Sequence, residues 1–305
     1  MTDLKSRFED LKKERGRLLT REGAKALGVS EAALVNAMTS DTTVRLRDDF
    51  KSIMEHIKVF GCIMGLVRND NFVAMPIGEF NELSFDGTHG HAKGGNIDLT
   101  FDLEHWASAF AIKEISHDTL RRMVQIFDDC GEAVFKAVLW SSGSDEAFDS
   151  FMNEFKVSAS TPLNDTQSGD SGWQKFTFAE NAQIITDNTP MRTQEFLQAC
   201  IDMRMEIELQ IPTNASLETY RGPLRKLEVR GTPGWIDLRY PHFTTHFGVG
   251  EINKVAVLQE NGICGAASFI DGSDNIICRV RCAKPHATSA QDDWNAAVAS
   301  ALLNP

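Results

Sequence analysis

Histidine and tyrosine are this chain's main metal-capable side chains, eight and two of them, and their spacing sets the first questions of chemistry. His89 and His91 lie in the run Asp86-Gly87-Thr88-His89-Gly90-His91-Ala92-Lys93-Gly94-Gly95. Its glycines let the backbone approach a ligand closely, so the pair can bind a metal or reach over a flat ring. The plain alternative is a solvated, mobile hairpin, because a third and fourth ligand are missing. Tyr240, His242 and His246 share parity along 239–247, and a continuous strand would turn all three to one side. Pro241 removes a ladder donor and marks a bend, which leaves structural hydrogen bonding as the second reading of His246. Cys278 and Cys282 share a strand face, yet six cysteines without C-x-x-C spacing read as buried thiols in a reducing compartment.

No G-x-S-x-G, phosphate-binding loop, G-x-G-x-x-G or H-E-x-x-H pattern occurs. With 305 residues, 42% of them hydrophobic and 24% charged, the chain is long enough for two domains. A net charge of −12 argues against general nucleic-acid binding, which needs clustered cations. The charged start MTDLKSRFEDLKKERGR has no apolar signal region, and no stretch reaches membrane-spanning length. A cytoplasmic protein with no membrane insertion is the expectation.

The elements that must position these residues emerge from periodicity. Helical spacing covers 3–15, 18–38 and 48–60, the second interrupted at Gly28 with Ser30-Glu31 capping the run from Ala33 to Met38. This resembles a helix-turn-helix, but Glu31-Ala32-Ala33-Leu34-Val35-Asn36-Ala37-Met38 offers no Arg, Lys or Gln for base edges, so a structural helical cap is favoured over a DNA-reading regulator. From Cys62 the period becomes two, predicting strands at 62–68, 72–77, 97–101, 107–113, 123–128 and 133–140, then a helix from about 144. A polar, Ser/Asp/Thr/Gly-rich stretch at 156–189 reads as a linker. Beyond it come a helix at 193–205, strands at 215–221, 224–230, 235–240, 243–248, 254–259, 263–270 and 275–282, and a helix at 290–303.

Gly95-Asn96-Ile97-Asp98-Leu99 returns as Gly234-Trp235-Ile236-Asp237-Leu238, and Phe127-Asp128-Asp129 before Gly131 is echoed by Phe269-Ile270-Asp271 before Gly272. The chain therefore reads as two copies of one α+β unit, each an antiparallel sheet with packed helices. The expected divisions are 1–155 for the first repeat with its helical cap, 156–189 for the linker and 190–305 for the second repeat. A seam between copies is a common ligand site.

Several segments together resemble the haem-handling proteins of the HemS/ChuS type, often called haemin-degrading factors. They are 11–37, Leu66-Val67-Arg68-Asn69, Trp106-Ala107-Ser108-Ala109-Phe110-Ala111-Ile112-Lys113-Glu114, and 234–246. The resemblance covers most of the chain and implies a HemS/ChuX-like tandem repeat with one haem between the halves. It further implies an axial histidine from the helix opening the second half and arginines on the propionates. The chain departs from that pattern. The helix reads Met191-Arg192-Thr193-Gln194-Glu195-Phe196-Leu197, with Gln194 or Glu195 at the ligand position. Ala74 and Thr100 stand where members carry a further histidine and an arginine, and a few tens of residues usual before Tyr220-Arg221-Gly222-Pro223 are missing.

Arg281 and Lys284 fall about where the family has a tyrosine and an arginine facing haem, and Arg239, Tyr240 and Phe243 can line the same slot. The expected site is therefore His89, Arg239, Tyr240, Phe243, His246, Arg281 and Lys284, with His89, Tyr240 or His246 on the metal. The expected function is haem binding, trafficking or degradation in iron acquisition. Binding and transport come before haem-oxygenase-like degradation, and a haem oxygenase or another protein would be the partner. The alternative is a divergent member that has lost haem ligation and binds another small molecule or a protein.

Overall fold

The computed structural model describes residues 3–16, 18–116, 119–140, 145–157, 163, 177, 179–232, 234–260, 263–285 and 287–303. Three helices open the chain: α1 (Leu4–Arg15), α2 (Thr20–Leu27) and α3 (Glu31–Ala37). The continuous 18–38 pattern is split because Gly28 takes φ 68° and its N–H closes the end of α2. Ser30 then caps α3 by accepting from Ala33 N–H. The helix α3 packs Ala32 and Val35 on Phe110 and Phe127, so its apolar face is committed to the protein's own sheet.

The rest of the first half is β1 (Thr43–Arg45), α4 (Phe50–Val59), β2 (Ile63–Arg68), β3 (Phe72–Gly78), β4 (Glu82–Asp86), β5 (His89–Gly94), β6 (Ile97–Asp102), β7 (Trp106–Ser116), β8 (Thr119–Asp128), β9 (Ala133–Leu139) and α5 (Asp145–Phe155). The second half repeats that order without the three opening helices. It comprises β10 (Gln183–Ile185), α6 (Thr189–Asp202), β11 (Glu206–Pro212), β12 (Ser216–Pro223), β13 (Lys226–Val229), β14 (Ile236–Tyr240), β15 (Phe243–Phe247), β16 (Lys254–Glu260), β17 (Ile263–Ile270), β18 (Ile276–Cys282) and α7 (Thr288–Val298). The strands β1, β4, β5, β10 and β11 escape the sequence pattern. The His89/His91 run is not a loose loop but strand β5, hydrogen-bonded on one side to β4 and on the other to β6.

The strands form two antiparallel nine-stranded sheets. Sheet I runs β1-β7-β8-β9-β2-β3-β15-β14-β13 and sheet II runs β10-β16-β17-β18-β11-β12-β6-β5-β4. Each half thus lends three strands to the sheet of the other, through the β3–β15 and β12–β6 pairings. The two orders are the same once first-half strands are exchanged for their second-half counterparts, which is the topology of a duplicated unit related by a pseudo-twofold.

That equivalence corrects the register of the pentapeptide echo. Ile97-Asp98-Leu99 lies on β6, whose counterpart is β15, whereas Ile236-Asp237-Leu238 lies on β14, the counterpart of β5. The likeness has a local cause. Each strand follows a left-handed glycine, Gly95 at φ 59° and Gly234 at φ 76°, and each buries its Ile and Leu. The hairpin echo is shifted by one residue, so that Asp128 matches Asp271 by the bonds each makes.

Inner faces of the sheets are packed solid. One core joins α6 and α7 to Ile207, Leu209 and Val280 of sheet II and to Phe72, Ile236 and Phe247 of sheet I. The other joins α4 and α5 to Ala109, Val124 and Phe135 of sheet I and to Ile97, Leu99 and Phe101 of sheet II. Side chains therefore fill the space between the sheets, and the outer faces are left for ligands.

Candidate functional site

The outer face of sheet II gathers polar side chains because alternation along its strands puts every second residue there. From β5 to β18 these include His89, His91, Lys93, Asp98, Thr100, Thr219, Arg221, Glu208, Gln210, Arg279 and Arg281. The join between halves carries an ion ladder. Asp98 on β6 accepts from Arg221 on β12 and from His91 Nε2 at 2.6 Å. Arg221 Nε donates to Glu208 Oε2 at 2.8 Å, while Arg281 Nε and Nη2 reach Glu208 Oε1 at 2.7 and 2.6 Å. The Glu208 carboxylate is 5% exposed between two half-exposed guanidiniums, so it fixes where both cations stand. Lys284 pairs with Glu206 at 2.8 Å one step along.

Beside this ladder a cleft of about 440 Å³ opens on β16, β17 and β18. Ala256, Leu258, Ile263 and Ala266 contribute its apolar lining, and Arg279 and Arg281 its charge. Arg279 donates to Ser268 Oγ at 3.2 Å and to the Thr177 carbonyl at 2.7 Å, and burial together with neighbouring Arg281 holds its guanidinium below the ordinary value. Cys264 and Cys282 line one margin as free thiols, and burial pushes the Cys264 thiol up, away from thiolate. The volume and composition suit a small organic ligand with an apolar body and carboxylates.

The residues expected from sequence are distributed over three places. His89, Arg281 and Lys284 belong to sheet II. His89 is 67% exposed, 3.2 Å from Asp102. Four strand spacings, about 19 Å, separate its strand from that of Arg281, so one compact ligand does not touch both. Arg239 and His246 stand on the outer face of sheet I, bonded to Glu228 and Asp237 and to Asp237 and Arg230 respectively. Tyr240 and Phe243 turn to the interior. Phe243 is 1% exposed and stacks on Tyr220 at 4.1 Å between centroids, and Tyr240 meets the same ring edge-on at 5.4 Å with Arg225 over its own face.

Tyr240 and His246 therefore do not share a face. His242, at φ 62°, occupies the tight turn between β14 and β15 that Pro241 foreshadows. Gln194 and Glu195 are also displaced from the expected role. Their helix α6 buries Phe196, Leu197 and Cys200 on the inner side of sheet II, the side opposite Arg281.

Sequence reasoning missed Arg221, Glu208 and Arg279. The signal was present as alternation in Glu206-Ile207-Glu208-Leu209-Gln210-Ile211 and in Cys278-Arg279-Val280-Arg281-Cys282, each with one apolar and one charged face.

Comparison with known proteins agrees with this architecture. Residues 28–155 match the haemin-degrading HemS/ChuX domain. The hemin transport protein HmuS of Yersinia pestis is 24% identical over 204 residues, covering 62% of this chain and 59% of that protein, and HemS of Yersinia enterocolitica is 23% identical over the same length. The aligned stretch thus spans less than two thirds of these relatives. Among solved structures, haem-bound PhuS, a haem-binding protein of Pseudomonas aeruginosa, superposes with a TM-score of 0.83 at 22% identity over 97% of both chains. ChuS, an E. coli haem oxygenase, superposes at 0.81 with 19% identity over 99% of this chain and 100% of that one. The first half of the chain thus carries a region matching the HemS/ChuX domain, and the whole chain has the two-sheet fold of PhuS and ChuS.

Proposed function

We propose that this chain binds haem and passes it on or degrades it, with the tetrapyrrole seated in the sheet II cleft. The observation that carries the reading is the cleft itself, where an apolar lining adjoins Arg279 and Arg281 and the Glu208-anchored ladder. In this reading the arginines and Lys284 take the propionates, the strand side chains hold the ring, and burial excludes water from one of its faces. The seam residues Arg221 and Glu208 keep the cationic edge in place before the ligand arrives. The same reading makes the chain a cytoplasmic carrier that delivers haem to a protein partner such as a haem oxygenase, or opens the ring itself when oxygen and a reductant are supplied.

Of the three candidate ligands, Tyr240 faces the core and His246 the other sheet, while His89 serves only a haem lying at the β5 end of the face near Lys93. Among the described residues the cleft lining contains no histidine, which favours recognition through the carboxylates and the ring. Haemin titration followed by the Soret band tests the proposal. Saturable binding is expected, weakened about tenfold or more by Arg281→Ala, the loss of one charge-assisted bond. Absence of a saturable Soret change overturns it, and loss on His89→Ala but not on Arg281→Ala moves the site to β5. Equal affinity for haemin and for iron-free protoporphyrin would mark a site without an axial ligand.

A further inference from the structure

The pseudo-twofold that relates the sheets also relates their outer faces, and the two faces are covered differently. The equivalence of the β8–β9 and β17–β18 hairpins fixes which residues correspond. Gln125 and Lys136, paired across β8 and β9, match Ser268 and Arg279, paired across β17 and β18. Phe110, beside Gln125 on β7, matches Ala256, beside Ser268 on β16. Farther from the hairpin turn, Met123 and Val138 match Ala266 and Arg281.

On sheet I this patch is the seat of helix α3. Ala32 and Val35 pack on Phe110 and Phe127, with Met38 a turn further on. The Ala32 N–H donates to the Gly131 carbonyl at the hairpin tip at 3.0 Å. Glu31, 3% exposed, fixes the polar side, and its Oε1 accepts from Gln125 Nε2 at 3.0 Å and from Thr20 Oγ1 at 2.8 Å. Burial pushes the Lys136 ammonium below its ordinary value, and Glu31 is the leading charge that opposes this. A helix is thus held on the sheet by small apolar residues and by one acidic side chain in its first turn.

On sheet II the same patch is covered only in part. The segment leading into β10 reaches its hairpin end, where Ala182 packs on Ala256 and Ile270 and the Thr177 carbonyl accepts from Arg279 at 2.7 Å. Past that point the patch is the open cleft. Its floor is lower than on sheet I, with Ala256 for Phe110 and Ala266 for Met123. Its charge is greater, with Arg279 for Lys136 and Arg281 for Val138. Ile263, 51% exposed, gives it an apolar rim. A seat of the same construction, deeper and more cationic, fits a helix with larger apolar side chains and the same acidic first turn.

We propose that the sheet II cleft is a docking groove for an amphipathic helix of a partner protein. The helix lies on β16–β18 as α3 lies on β7–β9, with a first-turn carboxylate on Arg279 and Ser268 and Leu- or Met-sized side chains over Ala266 and against Ile263. The inference stands on the likeness of the two faces and not on the haem reading. Where both hold, helix and haem draw on the same arginines and exclude one another.

The probe is a fluorescein-labelled peptide of Ser30–Thr39 carrying Ala32→Leu and Val35→Leu, kept helical by a lactam bridge between positions 33 and 37. It is titrated against the full chain, whose own α3 seat is filled. Saturable anisotropy is expected, weakened about tenfold or more by Arg279→Met in the protein or Glu31→Gln in the peptide, and weakened by salt. Ile263→Asp, a change at an exposed position, should weaken it too, which keeps the test valid if Arg279→Met disturbs folding as judged by far-ultraviolet dichroism. Hydrogen exchange should slow at β16–β18 when the peptide is bound. Absence of saturable binding overturns the inference. So does binding insensitive to these changes, or protection that appears at β7–β9 because the peptide has replaced the chain's own α3. Haemin separates this result from the haem reading. Saturable haemin uptake without peptide binding overturns the docking groove and leaves haem in the cleft. Peptide binding that haemin fails to displace supports the groove and removes haem from it.

Discussion

Asp128 and Asp271 perform the same bond pattern in the two halves. Asp128 Oδ1 accepts the N–H of Cys130 at 3.0 Å and of Glu132 at 2.8 Å, and Asp271 Oδ1 accepts those of Ser273 at 2.8 Å and Asn275 at 2.9 Å. One difference divides them. Asp128 is 1% exposed and its other oxygen takes Asn214 Nδ2 from the opposite half at 2.8 Å. Replacing either with alanine unties a hairpin, but only at Asp128 does it also remove a hydrogen bond between the halves, made to a buried carboxylate. Urea denaturation is expected to show a loss of about 2–3 kcal/mol for Asp128→Ala against about 1 kcal/mol for Asp271→Ala; equal losses would mean that Asn214 contributes nothing.

Glu218 gives stability a pH dependence. It is fully buried at the β12–β6 join, where one oxygen accepts from Asp98 N–H at 3.1 Å, and burial pushes its carboxyl well above the ordinary value. A raised folded value means that this group's contribution is complete below the unfolded carboxyl range and is lost as pH rises through the folded value. The Glu218→Gln variant should therefore gain thermal stability relative to the wild type as pH climbs from 5 to 9, and parallel melting curves across that range would contradict the assignment.

The Phe243 ring is structural, so its truncation should act on folding before it acts on ligand. Stacked on Tyr220 in the sheet crossing, it is expected to cost about 3–5 kcal/mol on Phe243→Ala. Haem affinity at a temperature where the variant remains folded should change less than threefold, and a larger loss would place the ring in a ligand slot.

Glu208 is an internal rival for the arginines it holds. Its neutral variant Glu208→Gln removes one negative charge from between Arg221 and Arg281. Porphyrin carboxylates should then bind severalfold more tightly at low ionic strength, with the gain shrinking in salt. Weaker binding would show instead that orientation of Arg281 outweighs the competition.

Much of the architecture was legible because alternation along buried strands is a strong signal. Ile63 to Arg68 and Phe72 to Gly78 alternate buried with partly exposed residues, as period two requires. The edge strand β4, Glu82-Leu83-Ser84-Phe85-Asp86, buries neither face fully, and its partner β5 carries glycines on the covered side, where Phe101 leaves no room for a Cβ at Gly90. Composition there resembles a loop even though the backbone is a ladder. The site was less legible for a different reason. Arg239, His246 and Arg281 are charged residues on strands, and nothing local states on which sheet a strand lands after the halves exchange β4–β6 for β13–β15. Tyr240 and His246 were parted by one left-handed residue at His242.

The exchange of strands also sets how the chain comes apart. Removal of either half would strip three strands from the sheet of the other and open the edges of β3 or β12, with Phe72, Tyr220 and Phe101 laid bare. Each core draws nearly all its side chains from one half, so it is the β3–β15 and β12–β6 pairings that couple the halves, and calorimetry should record a single cooperative transition rather than two. Such mutual completion is what a domain-swapped dimer acquires when a single peptide link joins its subunits. The ancestral unit would then have been paired through its exchanged strands, with two like faces, which later diverged separately.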